Sequence, residues 1–106
     1  RFASMQLDYL LGTNPTGYSF VTGNGEFCVN YPHHRPASAD GVEECIPGLV
    51  SGGPNSRRED PCAREIIPDG APPMKCFSDN TECYSLNEVT IYWNSPAVFL
   101  LAGLQE

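Results

Sequence analysis

Two stretches of the chain gather the side chains with most chemical potential. The first runs from Phe77-Ser78-Asp79 through Tyr84 to Asn87-Glu88-Val89-Thr90-Ile91-Tyr92-Trp93-Asn94-Ser95 and sets carboxyl groups among aromatic rings. A carboxyl group held between Tyr84 and Trp93 would be partly desolvated, which raises its pKa and keeps it protonated near neutrality, the state a general acid requires. The faces of Tyr84, Tyr92 and Trp93 are also natural platforms for the apolar faces of sugar rings. A bland role competes for Glu88. Ser85-Leu86-Asn87-Glu88 spells the S-x-x-E capping box, which would tie its side chain to a helix start. Against this, Val89 to Trp93 are β-branched or aromatic and poor helix formers, while Ser95-Pro96 has the form of an N-cap followed by a first-turn proline. The pattern therefore predicts an extended piece over Val89 to Trp93, a helix beginning at Ser95-Pro96, and a Glu88 free to face a cleft.

The second stretch is Tyr31-Pro32-His33-His34-Arg35-Pro36. In an extended, proline-bounded segment side chains alternate, so His33 and Arg35 are expected on one side and His34 on the other. A neutral imidazole and a forked guanidinium suit hydroxyl-rich or carboxylate partners; the alternative is an Arg35 that merely pins a loop. Zinc at His33 or His34 with Cys28 and Cys45 fits poorly, because structural zinc sites present close ligand pairs and none occurs here. Asp60 and Asp69 lack the dense acidic spacing of a calcium loop, so a solvated surface is the expectation for both.

The elements that must position these residues are uneven. Arg1 to Leu11 carries apolar residues on more than one helical stripe before Gly12, and Ala97 to Leu104 is apolar almost without a break, so each end of the chain predicts a helix buried on several sides. Roughly seventy residues lie between, rich in turn signals such as Asn14-Pro15, Asn24-Gly25, Gly52-Gly53-Pro54 and Asp69-Gly70, with a short extended piece expected over Tyr18 to Thr22. So long an irregular connection argues against a self-contained domain, and two buried helices cannot cover each other alone. The expectation is one slice of a larger helical domain. Thirteen Asp and Glu against six Lys and Arg disfavour nucleic acid and anionic lipid as partners, and the longest apolar run is far short of the ~20 residues that cross a bilayer. Five cysteines with 10 Gly and 10 Pro suggest an oxidising, extracellular setting in which disulfides are the default; an odd count leaves at least one thiol free or bridged elsewhere.

Taken together, these residues resemble glycoside hydrolase family 9. Ser19 to Gly25 and Pro32-His33-His34-Arg35 match the first family signature, preceded by a similar lead-in over Leu7 to Pro15. Ile46 to Asn55 resembles the glycine-rich loop that follows. Phe77, Asp79, Tyr84, Glu88 and Asn94 meet the second signature. The resemblance is weakest from Arg57 to Cys76, which looks like an insertion, and Tyr92 departs from the acidic or amide residue of many relatives. It implies an all-α fold, the C-terminal portion of an (α/α)6 barrel, with two buried helices joined by long cleft-lining loops; residues 1–106 would be the C-terminal fragment of one catalytic domain. It further implies inverting hydrolysis of β-1,4-glucosidic bonds in cellulose or cello-oligosaccharides. Glu88 would be the general acid and Asp79 a supporting signature acid; His33, Arg35, Tyr84 and Trp93 would bind substrate. No cofactor would be required, no metal ligand is assigned here, and calcium is possible in the full domain. The catalytic base would come from the remainder of the same domain, so the isolated chain should be inactive. Two rivals stand beside this: a non-catalytic carbohydrate-binding relative, and a disulfide-framed extracellular interaction module.

Overall fold

A run of good helix formers opens the chain, and α1 (Phe2–Leu10) forms from it. The helix stops where the N–H groups of Leu11 and Gly12 turn back to the carbonyls of Leu7 and Tyr9, with Gly12 at φ +126°, a conformation that excludes side chains. The computed structural model describes residues 1–105. Four further helices follow: α2 (Arg35–Ala39), α3 (Pro61–Ile66), α4 (Tyr84–Asn87) and α5 (Ile91–Leu104), with a 3-10 turn at Pro73–Lys75. No helix is long and apolar enough to cross a membrane among the described residues.

The predicted start of the last helix is corrected. α5 begins at Ile91, capped by the Thr90 side chain, which accepts from the Trp93 N–H, and Pro96 lies inside the helix. Propensity and the proline both pointed to a later start, but the Thr90 cap supplies the missing donor partner and Asn94 ties the first turn down. Its Oδ1 accepts from Val50 N and its Nδ2 donates to Gly48 O. The extended piece therefore shrinks to Glu88 and Val89. The second stretch is corrected likewise: α2 begins at Arg35 after His34, whose ring accepts from Ala37 N as an N-cap, so strict alternation ends at His34.

α1 and α5 pack on each other, yet no residue of α1 is buried and only Ala97 of α5 is. Ile91, Phe99 and Phe2 remain 83%, 82% and 76% exposed. Helices this apolar stay in water only when their neighbours lie elsewhere.

The middle of the chain contains no strand among the described residues, only isolated bridges. They stitch successive segments side by side: Cys28 to Ser19, Val21 to Val50, Ser51 to Val89 and Glu88 to His33. Gly52 permits the approach of Ser51 to Val89, since a Cβ there would sit 3.0 Å from the Leu86 carbonyl oxygen. The insertion-like stretch is no peripheral loop. Ala63 and Ile67 from it join Cys76, Cys83 and Leu86 in a buried cluster beneath α4, and a disulfide joins Cys62 to Cys83. Arg58 braces it, donating to Ile67 O at 2.8 Å and pairing with Asp69.

Candidate active site

The acid-bearing segment enters through α4, a single turn whose C-cap is Glu88. Ser85 lies inside this turn and spends its hydroxyl and N–H on Asp60, so the capping box does not form and Glu88 keeps its side chain free. Glu88 N donates to Tyr84 O at 3.2 Å and Glu88 O accepts from Gly52 N at 3.0 Å. The backbone of Glu88 is thus fixed on both sides while its carboxyl group is exposed. The enclosure expected from Tyr84 and Trp93 is not supplied by this chain, in which both rings are largely exposed, at 40% and 45%.

His33 is brought directly alongside. It forms a parallel bridge with Glu88, and its N–H donates to the backbone oxygen and Oδ1 of Asn87 at 3.3 and 3.2 Å. Its Nδ1 lies 2.7 Å from Thr81 O. A carbonyl only accepts, so Nδ1 carries the proton and a neutral ring presents Nε2 as an acceptor. The Tyr84 ring meets the His33 ring edge to face with centroids 5.8 Å apart. His33, His34 and Arg35 share a hollow of about 430 Å³ with Ser38, Thr81 and Glu82. Trp93 lies apart from it, lining a hollow of about 650 Å³ with Tyr9, Gly52, Ser85 and Tyr92.

Asp79 occupies neither hollow. Its two oxygens accept from Asn30 N at 2.9 Å and Tyr31 N at 2.8 Å, a fork that latches the segment leading to His33. Asn94, the other polar signature residue, binds the glycine-rich loop to α5 as described.

Asp60 and Asn87 hold this assembly, and for Asp60 the solvated surface expected from the sequence is corrected: its hydrogen-bond partners draw the carboxylate inside. Asp60 has no exposed surface; one oxygen accepts from Ala63 N at 2.7 Å to cap α3, and the other takes the Ser85 N–H at 2.9 Å and the Ser85 hydroxyl. Burial alone would raise its pKa, but bonds from the Ser85 hydroxyl and from the Ala63, Ser85 and Cys62 amides together hold it below the ordinary carboxylate range. The pair Asp60-Pro61 is an N-cap followed by a first-turn proline and carried that signal in plain view. Asn87, also fully buried, donates from Nδ2 to Ser78 O at 3.1 Å and Asn80 O at 2.6 Å. No local pattern announces it.

Among the described residues, His33, His34, Cys28 and Cys45 do not come together as a cluster of possible metal ligands. Burial first, then the nearby Asp40, Asp79 and Cys28, push the Cys45 thiol up against a lowering bond from Thr22, which opposes the thiolate a metal needs. Among the described residues one donor group is compact enough, Asp60 with Cys62 and Cys83, but its sulfurs form the disulfide and its carboxylate is saturated. Asp69, paired with Arg58, keeps the solvated position expected for it.

The chain is 57% identical over 100 residues to a cellodextrinase of Butyrivibrio fibrisolvens, covering 94% of this chain and 18% of that relative. It is 49% identical, with a TM-score of 0.92, to a solved structure of AaCel9A in complex with cellobiose-like isofagomine, covering 96% of this chain and 19% of that one. A thermostable endoglucanase mutant from Alicyclobacillus acidocaldarius superposes equally well, at 48% identity, TM-score 0.92 and the same coverage of 96% and 19%. The chain thus spans less than a fifth of the length of these relatives. The family model for glycosyl hydrolase family 9 matches residues 1–101, straight through the stretch from Arg57 to Cys76 as well as both signatures, and the chain therefore belongs to glycosyl hydrolase family 9.

Proposed function

We propose that this chain is the acid-bearing C-terminal part of a secreted catalytic domain that hydrolyses β-1,4-glucosidic bonds with inversion. The observation that carries the reading is the direct bridge between the backbones of His33 and Glu88, which supports a pairing of proton donor and hydroxyl-binding ring at these two residues. Family membership and the similarity to a cellodextrinase and an endoglucanase support the same substrate class, a β-1,4-glucan or cello-oligosaccharide. Glu88 protonates the leaving glycosidic oxygen. His33 Nε2 accepts from a sugar hydroxyl, Arg35 donates to others at the mouth of the same hollow, and Tyr84 and Trp93 offer ring faces to the glucan on either side. Asp79 serves by holding the Asn30–Tyr31 backbone. Water attack from the opposite face needs a second carboxylate, supplied by the remainder of the domain.

The exposed apolar faces of α1 and α5 belong, on this reading, against other helices of an (α/α)6 barrel, whose packing would also enclose Glu88. That exposure disfavours a self-contained interaction module. The Cys62–Cys83 bond supports an extracellular location. Proton transfer by Glu88 calls for no cofactor, and any calcium of the full domain would draw on ligands outside this segment. Cleavage of a β-1,4-gluco-oligosaccharide by the full-length protein, followed by nuclear magnetic resonance of the first product formed, should give the α-anomer. Retention of the β-anomer would contradict the mechanism, and binding without cleavage would favour a non-catalytic relative.

A further inference from the structure

Asn87 sits where three segments meet. Its side-chain amide uses both hydrogens, one on Ser78 O and one on Asn80 O, the residues flanking Asp79; its Oδ1 accepts from His33 N; and its own carbonyl accepts from the same N–H. Two donors and one acceptor on a short rigid stem match these partners, and neither Asp nor Leu, its near-isosteres, could satisfy all three. The residue has no exposed surface, so it cannot touch a substrate. Yet one trans peptide joins it to Glu88, fixing their Cα atoms ~3.8 Å apart. A movement of Asn87 therefore displaces Glu88 and slackens its bridge to His33 at once.

We propose that Asn87 is the positioning residue that holds Glu88 in register with His33, so that protonation of the leaving oxygen depends on its amide. The proposal rests on Glu88 being the proton donor. It has a signature that mere structural support would lack. A misplaced acid matters most for a poor leaving group, such as a sugar hydroxyl, and least for an acidic phenol that departs without a proton. Loss of fold or of sugar binding would slow both substrates alike.

The test compares Asn87→Ala and Asn87→Asp with Glu88→Gln in the full-length protein, each checked for fold by circular dichroism. The substrates are a β-1,4-gluco-oligosaccharide and an aryl β-cellobioside whose phenol is strongly acidic. Turnover of the oligosaccharide by the Asn87 variants should fall roughly 10- to 100-fold, the scale of a reacting group misplaced by about an ångström. On the aryl substrate the loss should be within about 3-fold, the same pattern as Glu88→Gln in weaker form. Equal losses on both substrates in a folded Asn87 variant would overturn the proposal. So would the failure of both Asn87 variants to fold, which would make the amide a structural tie alone. If Glu88→Gln itself lacked the leaving-group pattern, the acid assignment would fall first and the inference with it.

Discussion

The layer around Glu88 and the pair α1 and α5 are built on opposite principles. The first is held by polar side chains whose partners lie inside the chain: the buried Asp60 and Asn87 and the half-buried Asp79 each tie together backbone groups from distant segments. The second is almost wholly apolar and leaves its side chains in solvent, with α5 exposing Ile91, Tyr92, Val98 and Phe99. A polar network is satisfied by geometry nearby, whereas an apolar helix is satisfied only by area, which a segment of this size does not provide. The geometry around Glu88 is therefore local, whereas α1 and α5 are left without cover by the described residues.

In the full-length protein Phe99→Ala should cost about 3–5 kcal/mol, as for a core aromatic, measured by denaturant unfolding. A Phe99→Ala variant of unchanged stability would mean that α5 is not covered and that its apolar face needs no neighbour. On the polar side, reducing the Cys62–Cys83 bond, which closes a loop with a sequence separation of 21, should cost about 3 kcal/mol and loosen α4 without unfolding α1 and α5. Amide exchange should locate that loosening at Tyr84 to Glu88.

The next effect is smaller and depends on pH. Asp60 has a folded-state pKa held below its unfolded value, so its stabilisation is fully present above about pH 4 and is lost as pH falls through the folded-state value. Asp60→Asn should cost about 1.5–3 kcal/mol at neutral pH, and the variant should lose less further stability on acidification than the parent. Equal acid sensitivity in the two proteins would count against the role assigned to this carboxylate.

These contrasts also explain what the sequence could disclose. The family was legible because signature spacing is readable in the sequence, and the structure brings the backbones of two signature residues, His33 and Glu88, side by side. The ends of the chain were legible as helices because apolar residues fill every stripe. Where α5 starts was not: Thr90 caps it and Asn94 anchors it to Gly48 and Val50, and a contact 46 residues away leaves no local trace in propensity. The stretch from Arg57 to Cys76 looked like an insertion for the same reason. Its purpose rests on Asp60 reaching Ser85 across 25 residues, and on Ala63 and Ile67 filling the space under Leu86. Asn87 was passed over because an asparagine beside a signature glutamate reads as spacer until its three partners are seen.

The most direct measurement concerns Glu88 itself. In the full-length protein Glu88→Gln keeps the shape of the side chain and removes the transferable proton. Hydrolysis of a soluble β-1,4-glucan should fall by about 10²–10⁴-fold, while calorimetric affinity for a cello-oligosaccharide stays within a few fold. Near-normal turnover by Glu88→Gln would contradict the account at its centre.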